Sequence, residues 1–414
     1  MGIREREEKS PGPEMRISGI AVHEVSAPLN RSYWMSLEPY RTASELIVQV
    51  STDTGLVGTG EIHGRPLNII RDLVASVLGP MILDRDALKI DDIWQEMFAL
   101  SHSRRGAELS ESEGQPHFGA GIRPQLMAAI AGIDIALWDI ASQRLDQPLW
   151  RYLGGTSPVV PCYASGGYYG PSGEANTEAL VREVVGYAEE GFAAVKIKVG
   201  GLGLSEDELR VKAVREALGE SIDMMLDANC GYSPSEAIRA AQTFEPYNIR
   251  WLEEPVHWYD SVRGTRAVAE ASSIPIASGE SEIHGNSCRD LIELGGVTVM
   301  QFDSTRAGGI TEWLRVQQHA LDHGASMAPH HDPQIHGHLI SAAENGLVQE
   351  VFPDSNRDPL WNAMFTDKPQ IRDGIMLMGE QPGLGFGISK AGAKQFFRNT
   401  VGIGDISAIP LAPE

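Results

Sequence analysis

The spacing of hydrophobic and polar residues changes twice along the chain. Two runs within residues 16–64, ISGIAVHEV and ELIVQVSTDTGLVGTGEI, are rich in β-branched residues and predict strands, with a hairpin turn at Asp53-Thr54-Gly55. We interpret the polar, aromatic stretch between them, Ser26 to Ala43, as a loop. From Pro66 to Leu145, apolar residues recur every three or four positions, which predicts helices. This order of elements predicts an α+β unit.

After residue 155 the pattern becomes one of short apolar runs separated by helical stretches. Eight runs are apolar almost throughout, which is typical of parallel strands buried on both faces: VPCYAS, AAVKIKVG, DMMLDAN, IRWLEEP, IPIASGE, VTVMQFD, ASMAPHH and LVQEVF. Seven helical stretches separate them, and one begins with a capping box at Ser233-Pro234-Ser235-Glu236. Such an alternation is most simply closed as a barrel, and an open doubly wound sheet is the less economical alternative.

These patterns divide the chain into four parts. We predict a charged, mobile tail at residues 1–14, an α+β capping domain at 15–155, a barrel domain at 156–352 and a C-terminal segment at 353–414. The last segment contains PGLGFGI and a short helical run. We expect it to pack back on the N-terminal unit.

Composition and charge narrow the classes of function. The chain has 414 residues, of which 42% are hydrophobic and 22% charged, as in an ordinary globular protein. Its formal net charge of -22 disfavours nucleic acid and anionic membranes as partners. The N-terminus lacks the apolar core of a signal peptide, and no apolar run is long enough to span a bilayer. Three widely spaced cysteines favour a reducing, cytoplasmic compartment. We therefore expect a small, soluble substrate.

Polar side chains end most of the predicted barrel strands. In a parallel barrel the carboxyl ends of the strands meet at one rim, which is where catalytic groups lie. From Asp227 to His330, successive polar strand ends are 23 to 27 residues apart, the length of one βα unit. The spacing therefore predicts one shared site. Its candidates are Lys196, Lys198, Asp227, Asn229, Glu253, Glu254, Glu280, Asp303, His330 and Glu350.

Three of these carboxylates, Asp227, Glu253 and Glu280, fall on adjacent predicted strands. Unpaired, they would repel one another in a partly buried barrel mouth, and a hard cation removes that conflict. Oxygen ligands with open positions for water and substrate favour Mg²⁺ over zinc. The alternative is that the three form rim salt bridges with Lys or Arg. We expect Asn229 and Glu254 beside the cation rather than on it, with Asn229 near the substrate.

Two further pairs of residues are candidate acid–base groups. Lys196 and Lys198 share strand parity and so point to the same face, and crowding with a cation is expected to lower a lysine pKa towards neutrality. Asp303 and His330 lie on neighbouring strands, so a hydrogen bond can orient the imidazole and raise its basicity. The lysines and the histidine would flank the cation from opposite sides. A solvated strand end and a structural histidine are the alternatives.

Six short motifs occur in a fixed order along this part of the chain. They are Lys196-Ile197-Lys198, Asp227-Ala228-Asn229, Glu253-Glu254-Pro255, Gly279-Glu280, Asp303 with Ala307-Gly308-Gly309-Ile310, and Pro329-His330. Together with TDTGLVGTGE, IALWDIASQRLDQPLWRYLGG and PGLGFGI, they resemble the enolase superfamily, mandelate racemase subgroup, over nearly the whole chain. The resemblance implies an α/β fold with a (β/α)7β modified TIM barrel. It also implies an α+β N-terminal capping domain that the C-terminal segment completes.

The resemblance further implies a role for each polar strand end. Mg²⁺ would be held by the three carboxylates. Lys198 would be one base and the Asp303–His330 pair the other, while Lys196 would hold the substrate carboxylate and Glu350 would act as an electrophilic acid. The cap would supply specificity and a homo-oligomer would be typical. The substrate-binding candidates in the cap are Arg31, Tyr33, Trp34, His63 and Arg65.

The implied reaction begins with removal of a proton next to a carboxylate. That proton is only weakly acidic, so Mg²⁺, Lys196 and Glu350 would stabilise the enediolate that forms. Expulsion of a β-hydroxyl, with His330 as general acid, would give a 2-keto-3-deoxy acid, whereas reprotonation would give racemisation or epimerisation. We favour Mg²⁺-dependent dehydration of an aldonate or aldarate, a lyase reaction. A racemase or epimerase of 2-hydroxy acids is the alternative.

The segment after the seventh barrel strand contains several histidines and is compatible with more than one class of enzyme. It is richer in histidine than the family's usual pattern, and we choose His330 as the catalytic imidazole because it directly follows the strand. His336 and His338 are interpreted as facing the next helix. With His330, His331 and Asp332 they are also compatible with a zinc or iron hydrolase. A nicotinamide-dependent oxidoreductase is disfavoured by an incomplete glycine motif, and a non-catalytic binding protein is the last possibility.

Overall fold

The computed structural model describes residues 14–114 and 116–409, so the predicted tail at 1–14 lies, apart from its last residue, outside the described part. The N-terminal unit is built on an antiparallel sheet. Its first three strands are β1 (Ile17–Trp34), β2 (Pro39–Thr52) and β3 (Val57–Ile62). The predicted turn at Asp53-Thr54-Gly55 joins β2 to β3, and Gly55 has the positive φ of 85° that favours glycine.

The prediction of a loop from Ser26 to Ala43 is wrong. This stretch belongs to one long β1–β2 hairpin, in which Ser26 pairs with Ser44 and Trp34 pairs with Pro39. A break in the register between Pro28 and Tyr33 marks a bulge, and only residues 35–38 form the turn. Polar and aromatic residues alternate between an exposed and a buried face there. The polarity that suggested a loop therefore belongs to the outer face of a hairpin.

Helices follow the strands, as the periodicity predicts. They are α1 (Leu67–Asp72), α2 (Gly79–Ile82), α3 (Ile90–Ala99), α4 (Arg104–Ser112), α5 (Arg123–Arg144) and α6 (Leu149–Tyr152). Among the described helices, α5 is the one with the length and apolar composition of a membrane span, but 89% of the relevant window is buried inside the protein. It lies between the cap sheet and the barrel and is a core helix.

Two glycines of β3 set how closely α5 packs on the sheet. A Cβ atom at Gly58 would lie 2.0 Å from the carbonyl oxygen of Ala136, and one at Gly60 would lie 2.0 Å from that of Gly132. Neither distance is possible for a real side chain, so the backbone of α5 approaches β3 only because both positions lack one. Gly58 and Gly60 therefore allow the central helix of the cap to pack directly against its sheet.

All eight predicted apolar runs form barrel strands. They are β4 (Val159–Ser165), β5 (Ala194–Lys198), β6 (Asp223–Asp227), β7 (Ile249–Glu253), β8 (Ile276–Ser278), β9 (Val299–Met300), β10 (Ser326–Met327) and β11 (Gln349–Val351). Neighbours pair in parallel from β4 to β10, β11 pairs with β4, and a parallel bridge between Met327 and Gly346 completes the circle. The barrel prediction is confirmed, and the open-sheet alternative is excluded.

Seven helices separate the barrel strands, again as predicted. They are α7 (Thr177–Glu189), α8 (Leu204–Leu218), α9 (Pro234–Phe244), α10 (Ser261–Ala271), α11 (Gly285–Glu293), α12 (Gly309–Asp322) and α13 (Pro333–Ala342). The capping box before α9 is present, with the backbone N–H of Ser233 donating to Glu236 at 2.9 Å. Inside the barrel, Tyr163 and Trp251 meet edge to face with ring centroids 5.5 Å apart. These buried rings fill the barrel beneath the polar strand ends.

The C-terminal segment returns to both units. It contains α14 (Pro359–Ala363), β12 (Phe365–Thr366), β13 (Gln370–Arg372), β14 (Ile375–Leu377), β15 (Gly387–Ile388), α15 (Lys390–Phe396) and β16 (Phe397–Gly404). β16 pairs with β1 and completes the cap sheet in the order β16-β1-β2-β3. β14 pairs antiparallel with barrel strand β4, a contact that the sequence did not predict. The proposed domain limits fall outside helices and strands and stay a prediction.

The β3–α5 contact generates a stability prediction. Gly60→Ala is expected to destabilise the protein by about 1–3 kcal/mol, because the added methyl group forces the sheet and helix apart. Thermal and denaturant unfolding measure the effect. The control is Gly186→Ala in α7, where a Cβ meets nothing within 4 Å, and which is expected to stabilise by about 0.5–1 kcal/mol. Equal stability of the two variants would contradict the close approach.

Candidate active site

Three buried carboxylates converge at the carboxyl-end rim of the barrel. Asp227 and Glu253 are the last residues of β6 and β7, and Glu280 follows β8. One oxygen from each lies within 4.8 Å of the other two. Oε2 of Glu253 accepts hydrogen bonds from Trp251 at 3.1 Å and Gln301 at 2.6 Å. Three close oxygen ligands from adjacent strands fit a hard divalent cation such as Mg²⁺.

Two lysines at the end of β5 share these carboxylates. The Lys196 ammonium lies 2.5 Å from Glu253 and 2.8 Å from Glu350, and the Lys198 ammonium donates to Asp227. The salt-bridge alternative is therefore realised for Asp227 and Glu253. With Glu280 included, however, four carboxylates face two ammonium groups, which leaves a formal excess of two negative charges in a buried volume. A divalent cation would balance that excess.

The expectation of a lowered lysine pKa depends on a bound cation, and the carboxylates alone have the opposite effect. Burial acts to lower the pKa of Lys198, but the attraction of Asp227 outweighs it, and the pKa is raised. The pKa of Lys196 is raised well above its usual value, because Glu253 and Glu350 outweigh its burial. Like-charge repulsion acts instead on Glu253, whose pKa is raised well above its usual value by burial and by Asp227. Protonation of Glu253 and cation binding would relieve the same repulsion.

An aspartate holds the candidate catalytic imidazole. Nδ1 of His330 lies 2.9 Å from Asp303, which follows β9 and also accepts from the backbone N–H of Thr305 at 2.8 Å. Burial alone would lower the pKa of His330, but Glu280 and the hydrogen bond to Asp303 raise it. Because Asp303 engages Nδ1, the free nitrogen is Nε2, which lies 4.0 Å from Glu280. The predicted pair is therefore formed, and its imidazole faces the carboxylate cluster.

Strand order places the two candidate acid–base groups on opposite sides of the carboxylates. The barrel order runs from β5, which carries Lys198, through β6, β7 and β8 to β9 and β10. His330 follows β10, so the three carboxylate-bearing strands lie between the lysine and the imidazole. The flanking arrangement predicted from the sequence is present. The catalytic roles stay predictions.

A cavity of about 720 Å³ opens above this rim, between the cap and the barrel. The barrel contributes Asn229, Glu254, Glu280 and His330 to its lining. The Asn229 N–H donates to Asp227 at 2.8 Å, which holds its loop against the cluster. Burial first, and then Glu280, raise the pKa of Glu254 to about 8. The cavity therefore gives a small ligand access to Glu280 and the imidazole, while Asp227, Glu253 and the two lysines are buried behind its lining.

Only two of the five substrate-binding candidates in the cap line this cavity. They are His63, which lies 4.0 Å from Asp303, and Arg65, which donates to Ser44. The other three, on the outer part of β1, do not line it. Arg31 lies over the Tyr33 ring, the Tyr33 hydroxyl donates to Asp354 at 2.8 Å, and the Trp34 indole donates to the carbonyl of Pro171 at 2.9 Å.

The structure therefore corrects the assignment of Arg31, Tyr33 and Trp34 as substrate-binding residues. Tyr33 and Trp34 anchor the hairpin to neighbouring loops, Arg31 packs on Tyr33, and the hairpin turn presents other residues to the cavity. The cavity-lining residues that sequence reasoning missed include Met35, Leu37, Glu38, Tyr40, Arg306 and Arg357. Arg306 follows the Asp303 strand end by three residues, which is a local signal. The others are brought in by the hairpin turn and the C-terminal segment, contacts without a local signal.

The other histidines of the segment after β10 form hydrogen bonds with backbone groups or with an aspartate. His336 accepts from the backbone N–H of Ser304 at 3.0 Å and contacts the carbonyl of His331 at 2.9 Å. His338 accepts from the N–H of Trp150 and lies 3.1 Å from the carbonyl of Leu384. Both lie in α13 with both ring nitrogens engaged, so neither is free to bind zinc as a hydrolase site would require. His331 lines the cavity and bonds Asp358 at 2.9 Å.

The fold is a closed parallel barrel beneath an α+β cap, with acidic and basic groups at the barrel rim. This combination is typical of a class of barrel enzymes, and two family models match the chain. The mandelate racemase / muconate lactonizing enzyme N-terminal domain matches residues 17–154. The enolase C-terminal domain-like model matches residues 179–392. The chain belongs to the enolase superfamily, mandelate racemase subgroup, and the resemblance drawn from its motifs is confirmed.

Named relatives show what similar chains do. An L-talarate/galactarate dehydratase from Salmonella typhimurium is 36% identical over 276 residues, 66% of this chain and 66% of that protein. A 3,6-anhydro-alpha-L-galactonate cycloisomerase from Streptomyces coelicolor is 31% identical over 353 residues, 82% of this chain and 88% of that protein. The prediction of an enzyme in a family that contains lyases is confirmed.

A solved structure agrees with both the fold and the predicted cofactor. The L-talarate/galactarate dehydratase from Salmonella typhimurium LT2, liganded with Mg and L-lyxarohydroxamate, superposes with a TM-score of 0.83. Its identity to this chain is 27%, and the superposition covers 98% of each chain. The predicted cofactor, Mg²⁺, is thus confirmed for the family. The fold predicted from the motifs is confirmed as well.

A pair of buried glutamates, separate from the rim carboxylates, lies at the boundary between cap and barrel. Glu45 of β2 and Glu61 of β3 are both buried, and Gln334 of α13 donates to Glu61 at 2.5 Å. Burial, followed by the charge of Asp332, raises the pKa of Glu45 to about 8. The pKa of Glu61 is raised well above its usual value by burial and by Glu45. Deprotonation of this pair therefore costs folding free energy.

This acid pair generates a prediction for stability against pH. Since the pKa of Glu45 is raised from 4.5 to about 8 on folding, its contribution is complete below about pH 4.5 and is lost as the pH rises through about 8. Glu45→Gln is expected to be more stable than the wild type by about 1.4 kcal/mol or more at about pH 9, with little difference at about pH 5. Unfolding measured across this range tests it.

The matched control for this experiment is Glu178→Gln, whose side chain is 93% exposed on α7. Its stability relative to the wild type is expected to stay the same at both ends of the pH range. A Glu45→Gln variant that loses stability equally at both pH values would contradict the raised pKa.

Proposed function

We propose that the protein is a Mg²⁺-dependent dehydratase that removes water from a sugar acid, an aldonate or aldarate, and forms a 2-keto-3-deoxy acid. One observation carries the proposal. A buried cluster of oxygen ligands with excess negative charge lies between an amine and an aspartate-bound imidazole, beneath one cavity. The relative named as a talarate/galactarate dehydratase supports the same class of reaction.

Asp227, Glu253 and Glu280 would hold the cation, because their oxygens converge at the rim. Bound there, Mg²⁺ would offset the carboxylate charge that raises the pKa of Lys198 and would stabilise negative charge on a substrate carboxylate. The Lys196 ammonium is buried beside the same cluster and contributes positive charge on that side. The site would therefore attract the carboxylate end of an acid sugar.

Lys198 is the candidate base for the first step. The C–H bond next to the substrate carboxylate breaks, its proton moves to the Lys198 Nζ, and its electron pair delocalises into the carboxylate. Lys196 would stabilise that developing charge. Burial acts to raise the pKa of Glu350, but Lys196 and His330 outweigh it and lower the pKa, so Glu350 would hold the Lys196 ammonium in place rather than act as the predicted electrophilic acid. Lys196 lies 2.8 Å from Glu350, so the two act at the same place in the barrel.

His330 is the candidate acid for the second step. Its raised pKa favours a protonated imidazole, and Asp303 holds Nδ1 so that the Nε2 proton is the one available. When the bond between the β carbon and its hydroxyl oxygen breaks, this proton converts the leaving hydroxyl into water. The enol that results tautomerises to the 2-keto-3-deoxy acid. One water leaves, and no oxidant or reductant is needed.

The cavity wall favours a substrate with a second anionic group. Arg65, Arg306 and Arg357 all line the cavity, and guanidinium groups bind carboxylates through paired hydrogen bonds. Within the proposal, aldarates are therefore preferred over aldonates. The expected partner is a small acid sugar, and a homo-oligomer and a cytoplasmic location belong to the same proposal.

A racemase or epimerase of 2-hydroxy acids is the second candidate. The same two groups would serve it: one would remove the proton from one face of the carbon next to the carboxylate, and the other would deliver a proton to the opposite face. The cycloisomerase relative supports a reaction other than dehydration on a related chain. The product of a racemase or epimerase keeps the β-hydroxyl that a dehydratase removes as water, and this difference distinguishes the two candidates.

A screen of aldonates and aldarates with Mg²⁺ and a keto-acid assay tests the proposed function. We expect at least one aldarate to be dehydrated. Lys198→Ala and His330→Asn are each expected to lower kcat by about 10²–10⁴-fold, the usual contribution of a positioned acid or base. Lys212→Ala, at a half-exposed lysine of α8, is the control and should retain activity.

Two outcomes of this screen would contradict the proposal. If no member of the panel loses water in the presence of Mg²⁺, the dehydratase is excluded. If instead deuterium from D₂O enters the carbon next to the carboxylate without loss of water, the racemase or epimerase is supported in its place.

A further inference from the structure

A second group of ligating side chains lies on the outer surface of the barrel. Glu293 is the last residue of α11, His319 lies in the last part of α12, and His323 directly follows α12. Nε2 of His319 is 3.1 Å from Oε1 of Glu293, and Nε2 of His323 is 3.9 Å from the same oxygen. One ligand atom of each residue lies within 4.8 Å of the other two. Two imidazoles and one carboxylate therefore converge.

The two histidines stand one helical turn apart on the same face. Residues four apart on a helix are neighbours, and the two rings are tilted by 31° with centroids 4.1 Å apart. A pair of histidines at this spacing is a recurrent way for a helix to bind zinc. The third ligand here comes from the neighbouring helix, so binding would link α11 to α12.

Hydrogen bonding leaves the ligand atoms available. Nδ1 of His323 lies 2.9 Å from the carbonyl oxygen of His319, and donation along this contact leaves the lone pair on Nε2. Metal-binding histidines commonly use their second nitrogen in this way. Nε2 of His319 is buried and makes no hydrogen bond with any residue that the structure describes, although Glu293 is close. Both Nε2 atoms are thus free to bind.

The spacing fits a four-coordinate ion. With metal–ligand bonds of about 2.0–2.2 Å at tetrahedral angles, neighbouring ligand atoms are about 3.4 Å apart. The two observed nitrogen–oxygen distances, 3.1 and 3.9 Å, bracket that value. Only small side-chain movements are needed to close the shell, with water as the fourth ligand.

Charge around the group also favours a cation. The carboxyl ends of α11 and α12 meet here, and the partial negative charge of a helix lies at that end. Among the residues that the structure describes, Arg289 is the basic side chain that forms an ion pair with the group, 4.0 Å from Glu293 on the same helix. Asp322, beside His323, adds a negative charge. A divalent ion would compete with Arg289 for Glu293.

We propose that Glu293, His319 and His323 form a second metal site, which binds a divalent transition-metal ion such as Zn²⁺ and is separate from the rim cluster. Two imidazole nitrogens and one carboxylate are a ligand set that suits zinc and disfavours Mg²⁺. The site lies at the carboxyl end of α12, a helix of 14 residues and thus about 21 Å long, whose other end faces the cavity side of the barrel. Binding would tie two barrel helices together without contacting the catalytic rim.

The test uses the intact protein, stripped with a chelator and then saturated with Mg²⁺. Zn²⁺ alone is the probe, titrated against a competing chromophoric chelator. We expect one zinc ion per chain with a dissociation constant of about 10 μM or tighter, and a zinc-dependent rise in Tm. Visible absorbance of Co²⁺ in place of Zn²⁺ should report nitrogen ligands.

Three variants assign the ion to these residues. His319→Gln, His323→Gln and Glu293→Gln are each expected to weaken zinc binding by about tenfold or more and to remove the rise in Tm. His117→Gln, at an exposed histidine outside the group, is the control and should bind zinc as the wild type does. Mg²⁺-dependent activity should be unchanged in His323→Gln, which shows that the variant is folded and that the rim is intact.

The opposite outcomes would overturn the proposal. If His323→Gln and Glu293→Gln bind zinc with wild-type affinity, or if the wild type binds no zinc, the three residues form only a surface ion pair between the two helices. Zinc binding abolished by Glu280→Gln but not by His323→Gln would place the ion at the rim cluster instead. Failure of the proposed dehydratase would remove the activity control but leave the zinc titration and the Tm measurement unaffected.

Discussion

The arrangement of this barrel rim follows from one electrostatic constraint. Four carboxylates and two ammonium groups are buried together at the ends of neighbouring strands, and the negative charges exceed the positive ones by two. Buried charge of one sign is costly unless it is paired. The lysines pair with three of the carboxylates, Asp227, Glu253 and Glu350, and Glu280 remains for a cation. The excess charge therefore makes the rim a place where a divalent ion is bound and where carbon acids can be activated.

Most of the barrel could be predicted because its signals are local. Each strand is an apolar run that ends in a polar residue, and equal spacing of those ends already implies a shared rim, as Asp227, Glu253 and Glu280 show. The cap hairpin could not be predicted in the same way. Its outer part, from Ser26 to Ala43, is polar because one face meets solvent, so its composition resembles that of a loop.

Long-range contacts explain the other differences between sequence and structure. The position of the hairpin turn decides which cap residues reach the cavity. Because of it, Tyr40 lines the cavity and Tyr33 contacts Asp354 instead. Lysine pKa values likewise depend on the number of carboxylates that reach each ammonium group. That number is a property of the assembled rim, and it reversed the direction expected for Lys198.

The most direct test of a cation at this rim is calorimetric titration of the chelator-treated protein with Mg²⁺. We expect one Mg²⁺ ion per chain and binding at least about tenfold weaker in Glu280→Gln, which removes the carboxylate without a lysine partner and leaves both lysine pairs in place. Glu178→Gln, at an exposed position on α7 outside the carboxylate cluster, should bind Mg²⁺ normally. Equal affinity of the wild type and Glu280→Gln would contradict a cation held by the three carboxylates.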